Sequence, residues 1–333
     1  MLESEKEFAL SAVQAAAAIC RRVQSGIALD SLDKKDRSPV TVADFAVQAL
    51  ISGLLAEQFP DDALVGEEGA DQLREASAEE LRNRVVAEVQ AARDDDPTSE
   101  TVLNWIDRGQ AAGGAQGRFW VLDPIDGTKG FLRKEQYAIA LALIENGQVQ
   151  LGVLGCPNLP ESMDQPTGPD AGYAFVAVKG QGTEAAKMPA DGTLGELSPI
   201  AVSSSDDPAS ARRCESVESG HASHDEMAQI AEKAQMTGEP VRLDSQAKYA
   251  TVARGESVAY LRLSPDASYT EKIWDHAAGE IVVTEAGGVV TDLLGKPLDF
   301  TQGRGLVNNR GIIATNAALH ERVVRATAEV LGF

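Results

Sequence analysis

Cysteine is scarce in this chain. Among 333 residues there are three, Cys20, Cys156 and Cys214, an odd number, widely spaced and without a Cys-x-x-Cys pair. That argues against a disulfide framework and against the paired spacing that zinc and redox sites use. Buried thiols in a reducing compartment are the plain reading, with a redox switch as the other. Long apolar runs are missing too: no stretch approaches the roughly 20 residues needed to cross a bilayer. The N-terminus opens on acidic LESEKEF and not on a basic, apolar leader, so the sequence reads as a soluble, cytoplasmic protein. Basic residues are outnumbered, 30 against 51 acidic, for a net charge of −21. Such a field repels polyanions and disfavours nonspecific nucleic-acid or anionic-membrane partners. Much of the acidic excess reads as solvated surface, for instance Asp94, Asp95 and Asp96 before Pro97. No internal repeat or low-complexity tail is visible.

What is present suffices for a large core: 43% of residues are hydrophobic, and the length calls for one large or two closely packed domains. Phe8, Ala12, Ala15 and Ile19 recur at helical spacing and predict a first helix ending near Gly26. Val47, Leu50, Ile51, Leu54 and Leu55 predict a second, with Asp44 in its first turn and Pro60 beyond its end. Residues 78–93 and 99–108 read as two more helices. The runs YAIALALIE and VQLGVLGC flank Asn146-Gly147, the dipeptide suited to a tight hairpin, and YAFVAV adds a strand. Residues 160–171 and 187–199 read as loops, the later one a domain junction. Beyond it, strands at 200–203, 214–218, 241–243, 257–263, 289–291 and 312–315 alternate with helices at 224–236, 246–254, 275–286 and 317–331. That alternation favours an α/β layer arrangement.

The chemistry concentrates in WVLDPIDGTKGF, residues 120–131, where Asp123 and Asp126 stand three apart around a proline at the end of an apolar run. Two carboxylates and a peptide carbonyl can converge there on a hard divalent cation such as magnesium, which takes oxygen ligands and binds substrate phosphate. Alone, Asp-Pro-x-Asp-Gly is also an ordinary turn. Three further acidic islands, however, lie beside apolar strands or helices: Asp44 in SPVTVADFAVQAL, Glu67-Glu68 in ALVGEEGA, and Asp275 in KIWDHAAGEIVVTEAGG. Together they read as one metal centre. Because neighbours on an extended segment point opposite ways, at most one of Glu67 and Glu68 faces the ions. The other is a hydrogen-bonding or helper group.

These four elements, in this order from Asp44 to Asp275, resemble the lithium-sensitive, magnesium-dependent phosphatases of the inositol monophosphatase superfamily. Through GRFWVLDPIDGTKGFLR, LGVLGCPNLP, ESGHASHDE and SQAKYATVARGE followed by AYLRL, the chain resembles the 3'(2'),5'-bisphosphate nucleotidase branch. The resemblance implies an α+β domain over residues 1–198, with most metal ligands. It implies an α/β domain over 199–333, with the nucleotide pocket and Asp275, and an active site between the two. The fold expected is the inositol monophosphatase-like layered αβαβα sandwich. It implies that Glu67, Asp123 and the Ile125 carbonyl hold one Mg2+, that Asp123, Asp126 and Asp275 hold a second, and that a third, weaker ion sits near Asp44 and Glu67. Asp44 and Thr128 would orient and deprotonate the attacking water. Thr128, His221, Ser245, Lys248, Arg262 and Asp275 match substrate-contacting positions, with Lys and Arg suited to a phosphate by charge and donor geometry.

Taken without the resemblance, His221 could be a satisfied loop or core histidine, Lys248 a surface lysine, and Arg262 the solvent-facing residue of the alternating strand VAYLRL. His224 and His276 are weaker candidates. The implied activity is hydrolysis of the 3'-phosphate of adenosine 3',5'-bisphosphate to AMP, and of 3'-phosphoadenylyl sulfate to adenylyl sulfate, in sulfur assimilation, by a monomer acting on a small nucleotide. An inositol polyphosphate 1-phosphatase would use the same metal centre, and a non-enzymatic nucleotide sensor is the third reading.

Overall fold

The computed structural model describes residues 2–27, 38–165, 168, 171–217, 224–263 and 269–333. His221 lies outside them, as does the side chain of His224. Two long helices come first, α1 (Glu3–Ser25) and α2 (Ser38–Gln58), followed by α3 (Asp71–Arg74), α4 (Glu79–Gln90) and α5 (Ser99–Asp107). Because α2 begins at Ser38, Asp44 falls in its second turn and not its first.

Seven strands form one sheet in sequence order: β1 (Ala63–Gly66), β2 (Arg118–Asp126), β3 (Ala138–Glu145), β4 (Gln148–Cys156), β5 (Tyr173–Val178), β6 (Gly182–Lys187) and β7 (Ser198–Ile200). Only β1 and β2 run parallel within it. The β3–β4 hairpin closes on Asn146 and Gly147, both at positive φ (50° and 73°), the two-residue turn whose twist suits paired strands. The strand expected at 200–203 lies slightly earlier and pairs with β6, Thr183 opposite Ile200. It therefore ends the first sheet and does not open the second half.

The second sheet is mixed, in the order β11 (Gly288–Thr291), β12 (Ile312–Asn316), β10 (Ala259–Arg262), β8 (Arg213–Glu215) and β9 (Val241–Arg242). Its helices are α7 (His224–Lys233), α8 (Ala247–Ala253), α9 (Ala277–Glu285) and α10 (His320–Leu331).

The two-residue period of a strand divides the first sheet cleanly. On β3, Ile139, Leu141 and Leu143 join the core under α1 and α2, whereas Ala138, Ala140 and Ala142 join the one shared with α8, α9 and the second sheet. Small residues on the second face let α9 come close: a Cβ on Gly152 would stand 2.5 Å from the Ile281 side chain and 2.9 Å from the Ala278 carbonyl. A third core joins the far side of the second sheet to α7 and α10, through Leu261, Ile313, Met227, Ile230 and Val323. The layers are thus helix, sheet, helix, sheet, helix. All three cysteines are buried and free, and burial pushes their thiols up, Cys156 to about 12.

Candidate metal and phosphate site

The ends of four elements meet at one cavity of about 280 Å³. β1 lies parallel to β2 with Gly66 opposite Leu122, so Glu67, one residue on, comes alongside Asp123. The β2–β3 ladder is interrupted between Asp123 and Asp126, and this Pro-Ile irregularity lets both acids and Ile125 line the same space. Gly127, at φ +86°, then turns the chain into α6 (Thr128–Leu132); a Cβ there would strike Ser245 at 2.8 Å. Asp275 arrives two residues ahead of α9. The cavity lining thus includes Glu67, Asp123, Ile125, Asp126, Thr128, Ser245, Lys248, Arg262 and Asp275. Asp44 is buried behind it, close enough for its charge to act on Asp123.

Asp44, Glu67 and Asp123 are short of positive charge. Burial, then the charges of Glu68 and Glu67, push Asp44 well above its ordinary range. Burial, then Glu67, Asp126 and Asp275, do the same to Asp123. Glu67, whose carboxyl loses solvation inside the cavity although solvent reaches the residue through the mouth, and which Glu68, Asp275 and Asp126 crowd, is pushed up to about 8, and burial and Asp275 push Asp126 to about 6. Asp123 Oδ1 is buried with no hydrogen-bond partner among the described residues. A buried anionic oxygen without a donor, within a group of mutually repelling carboxylates, fits a multivalent cation bound by oxygen ligands. Glu68 is not in the cavity lining; its backbone N–H and carbonyl are both bonded to the side chain of Gln48.

The other side carries the cations. Lys248, 4% exposed, donates to the Leu243 carbonyl at 3.2 Å and stands 5.1 Å from the Tyr260 ring centre. Burial lowers it to about 8 against the pull of Asp126 and Asp244. It is no surface lysine. Nor does Arg262 face solvent: its Nε lies 2.9 Å from Glu271 Oε2 and its Nη2 3.3 Å from Asp275 Oδ2. Ser245 adopts φ +67° and accepts from the Ala247 N–H, beside the Gln246 N–H that donates to Asp126 at 2.6 Å.

Several residues of this site went unnoticed in the sequence, and His276, a weaker candidate there, takes a different place. Glu271 is 1% exposed, and although burial opposes its charge, His276 and Arg262 hold it down at about 2. His276 is buried between Glu271 (3.2 Å) and the Tyr249 hydroxyl (2.9 Å), so it serves that network and not the cavity. Gln246 donates from its side chain to the Trp274 carbonyl and accepts from Gly279 N–H, tying Asp126 to the approach of α9. Gln48 sits one helical turn after Asp44 and bonds Glu68 and Ile106. The signal for Gln48 was an i, i+4 polar pair on an otherwise apolar helix. Glu271 and Gln246 offered none beyond proximity to Asp275 and Ser245.

The comparisons with known proteins agree with this architecture. Residues 1–331 match the inositol monophosphatase family. The chain is 42% identical to a 3'(2'),5'-bisphosphate nucleotidase of Emericella nidulans over 348 aligned residues, covering 99% of both chains. It is 44% identical to a 3'(2'),5'-bisphosphate nucleotidase of Oryza sativa, covering 98% of this chain and 94% of the relative. In fold it is similar to an IMPase of Thermotoga maritima (TM-score 0.64, 20% identity, 99% and 98% covered). It is also similar to the inositol monophosphatase of Anabaena (TM-score 0.60, 20% identity, 98% and 96% covered). Matched along nearly its whole length and more than 40% identical to full-length members, the chain belongs to the inositol monophosphatase family.

Proposed function

We propose that the chain is a magnesium-dependent phosphatase that removes the 3'-phosphate of adenosine 3',5'-bisphosphate, giving AMP and inorganic phosphate, and that it acts likewise on 3'-phosphoadenylyl sulfate. The observation that carries this is a cavity with mutually repelling carboxylates on one side and two cations, the buried Lys248 and the half-buried Arg262, on the other. A substrate with two phosphates suits both sides at once. The names of the full-length relatives favour an adenosine bisphosphate as that substrate.

Glu67, Asp123, the Ile125 carbonyl, Asp126 and Asp275 would hold two Mg2+, with Asp44 and Glu67 near a third. Bound there, magnesium makes a water more acidic and offsets negative charge on the phosphate oxygens. Asp44, whose carboxyl is pushed up by burial, then accepts the proton of the attacking water while the Thr128 hydroxyl at the cavity orients it. Lys248, Arg262 and Ser245 hold the 5'-phosphate, and Asp275 also contacts the substrate, leaving the 3'-phosphate over the carboxylates. His221, outside the described residues, is part of the same proposal. So is a division at 198/199 into a metal-binding and a nucleotide-binding domain.

Phosphate release from adenosine 3',5'-bisphosphate, inositol 1,4-bisphosphate and AMP, at saturating Mg2+ with and without lithium, tests the reading. Rapid, lithium-sensitive turnover of the first with AMP left intact is expected. A preference for the inositol substrate would move the protein to the inositol polyphosphate phosphatases, and no turnover at all would favour a nucleotide sensor.

A further inference from the structure

One arginine joins two segments that carry acidic groups of the cavity, although neither segment is its sequence neighbour. The stretch 304–306 runs against 271–273: Ile273 N–H donates to the Arg304 carbonyl at 3.3 Å, Leu306 N–H to the Glu271 carbonyl at 2.9 Å, and Lys272 bridges Gly305. The Arg304 backbone is therefore attached to the strip that leads directly into Asp275. Its side chain goes the other way. Nη2 donates to the Gly66 carbonyl at 2.6 Å, and Nη1 to the carbonyls of Gly109 (3.0 Å) and Ala111 (3.1 Å). Gly66 immediately precedes Glu67, and 109–111 is itself bonded along β1, through Gly66 N–H to Gly109 and Ala111 N–H to Leu64. The plane of the guanidinium is completed by the Trp274 ring, 4.8 Å from its carbon and one residue from Asp275.

We propose that Arg304 is a positioning residue that fixes the separation of the Glu67 and Asp275 carboxylates, its backbone carried on one segment and its guanidinium on the other. The chemistry calls for arginine. Three carbonyls and an aromatic face surround one flat group, and a lysine ammonium offers no fork of planar donors and no plane to stack. The carbonyls it gathers would otherwise face one another with like partial charges. Glu67 and Asp275 would hold two neighbouring ions joined through Asp123, so their separation sets whether both ions fit at once, and a group that sets it should be read in metal affinity before it is read in folding.

The inference rests on the metal-centre reading, and the test separates the two. Mn2+ binding to the full chain is measured by the electron paramagnetic resonance of free Mn2+, well below the unfolding temperature, for wild type, Arg304→Ala and Arg304→Lys. The alanine variant is expected to bind Mn2+ about tenfold more weakly. The lysine variant, which retains the charge without the fork, should fall between. Added guanidinium at millimolar concentration should restore affinity in Arg304→Ala and leave wild type unchanged. Folded variants that melt earlier but bind Mn2+ as wild type does would overturn the proposal and leave Arg304 a packing residue. A wild-type chain that binds no Mn2+ would overturn the metal centre itself, and the positioning role with it.

Discussion

The two walls of the cavity titrate in opposite directions. On one, burial followed by further negative charge pushes up Asp44, Glu67 and Asp123, and also Asp126, though there Lys248, Arg262 and the Gln246 N–H oppose burial and Asp275. On the other, Glu271 is more enclosed than Glu67 and yet is held at about 2, because His276 and Arg262 stand against it. Burial is common to both walls; the partner differs. A carboxylate already matched, as Glu271 is, serves as scaffold for the cations beside it, whereas carboxylates that repel are half of a complex that a cation completes.

Removing a charge should therefore have opposite effects on the two walls. The largest is expected for Asp123→Asn: turnover of adenosine 3',5'-bisphosphate falls by about 10³-fold or more, as loss of metal-borne transition-state stabilisation implies. The same variant should melt at a higher temperature than wild type in EDTA, since one member of a repelling group is gone. Full turnover in this variant would sink the site assignment. Glu271→Gln should do the reverse to stability, costing about 3 kcal/mol by urea unfolding with or without Mg2+, because it leaves the half-buried Arg262 with Asp275 as its one ion-pair partner among the described residues. An unchanged midpoint would mean that Glu271 is not the matched partner its contacts with Arg262 and His276 make it.

Lys248→Met sharpens the contrast on the ligand side. KM should rise about 30-fold with kcat little altered, the loss of one charge-assisted hydrogen bond of roughly 2 kcal/mol. If kcat falls and KM holds, Lys248 serves the reacting phosphate and not the distant one.

The smallest effect concerns pH in EDTA. Glu67 keeps its proton up to about 8 when folded but would lose it near 4.5 when unfolded, so the folded state binds more protons between those values. Stability of the metal-free protein should then fall as pH rises from about 5 to 8, by of order 1 kcal/mol because solvent screens Glu67 through the cavity mouth. Saturating Mg2+ should flatten that slope. The Glu271 contribution runs the other way, full above its ordinary 4.5 and lost as pH falls toward 2.

The acidic wall was legible in the sequence because its residues are unusual: carboxylates placed beside apolar runs have few innocent explanations. The hairpin at Asn146-Gly147 and the helices α1, α4 and α5 were legible for a related reason, since turn chemistry and period are local. What escaped was long-range or ordinary. Arg304 acts on residues 193 to 238 positions away, and nothing in its neighbourhood marks it. Arg262 was named for the site, but its partner Glu271 was not, because a four-residue strand of alternating pattern does not say what its polar face meets. The placement of β7 depended on pairing with β6, which a Pro- and Gly-rich loop conceals. The first turn of α2 was misjudged because its apolar stripe begins later than its backbone.

Gly152 remains as a matter of mechanical tolerance. Where β4 lacks a side chain, α9 rests against the sheet, and Asp275 sits at the head of that helix. The bare backbone works as a gauge block: it sets the thickness of the middle layer and, through it, the width of the cleft at the layer's end. A single methyl there would wedge the cleft open from its closed side.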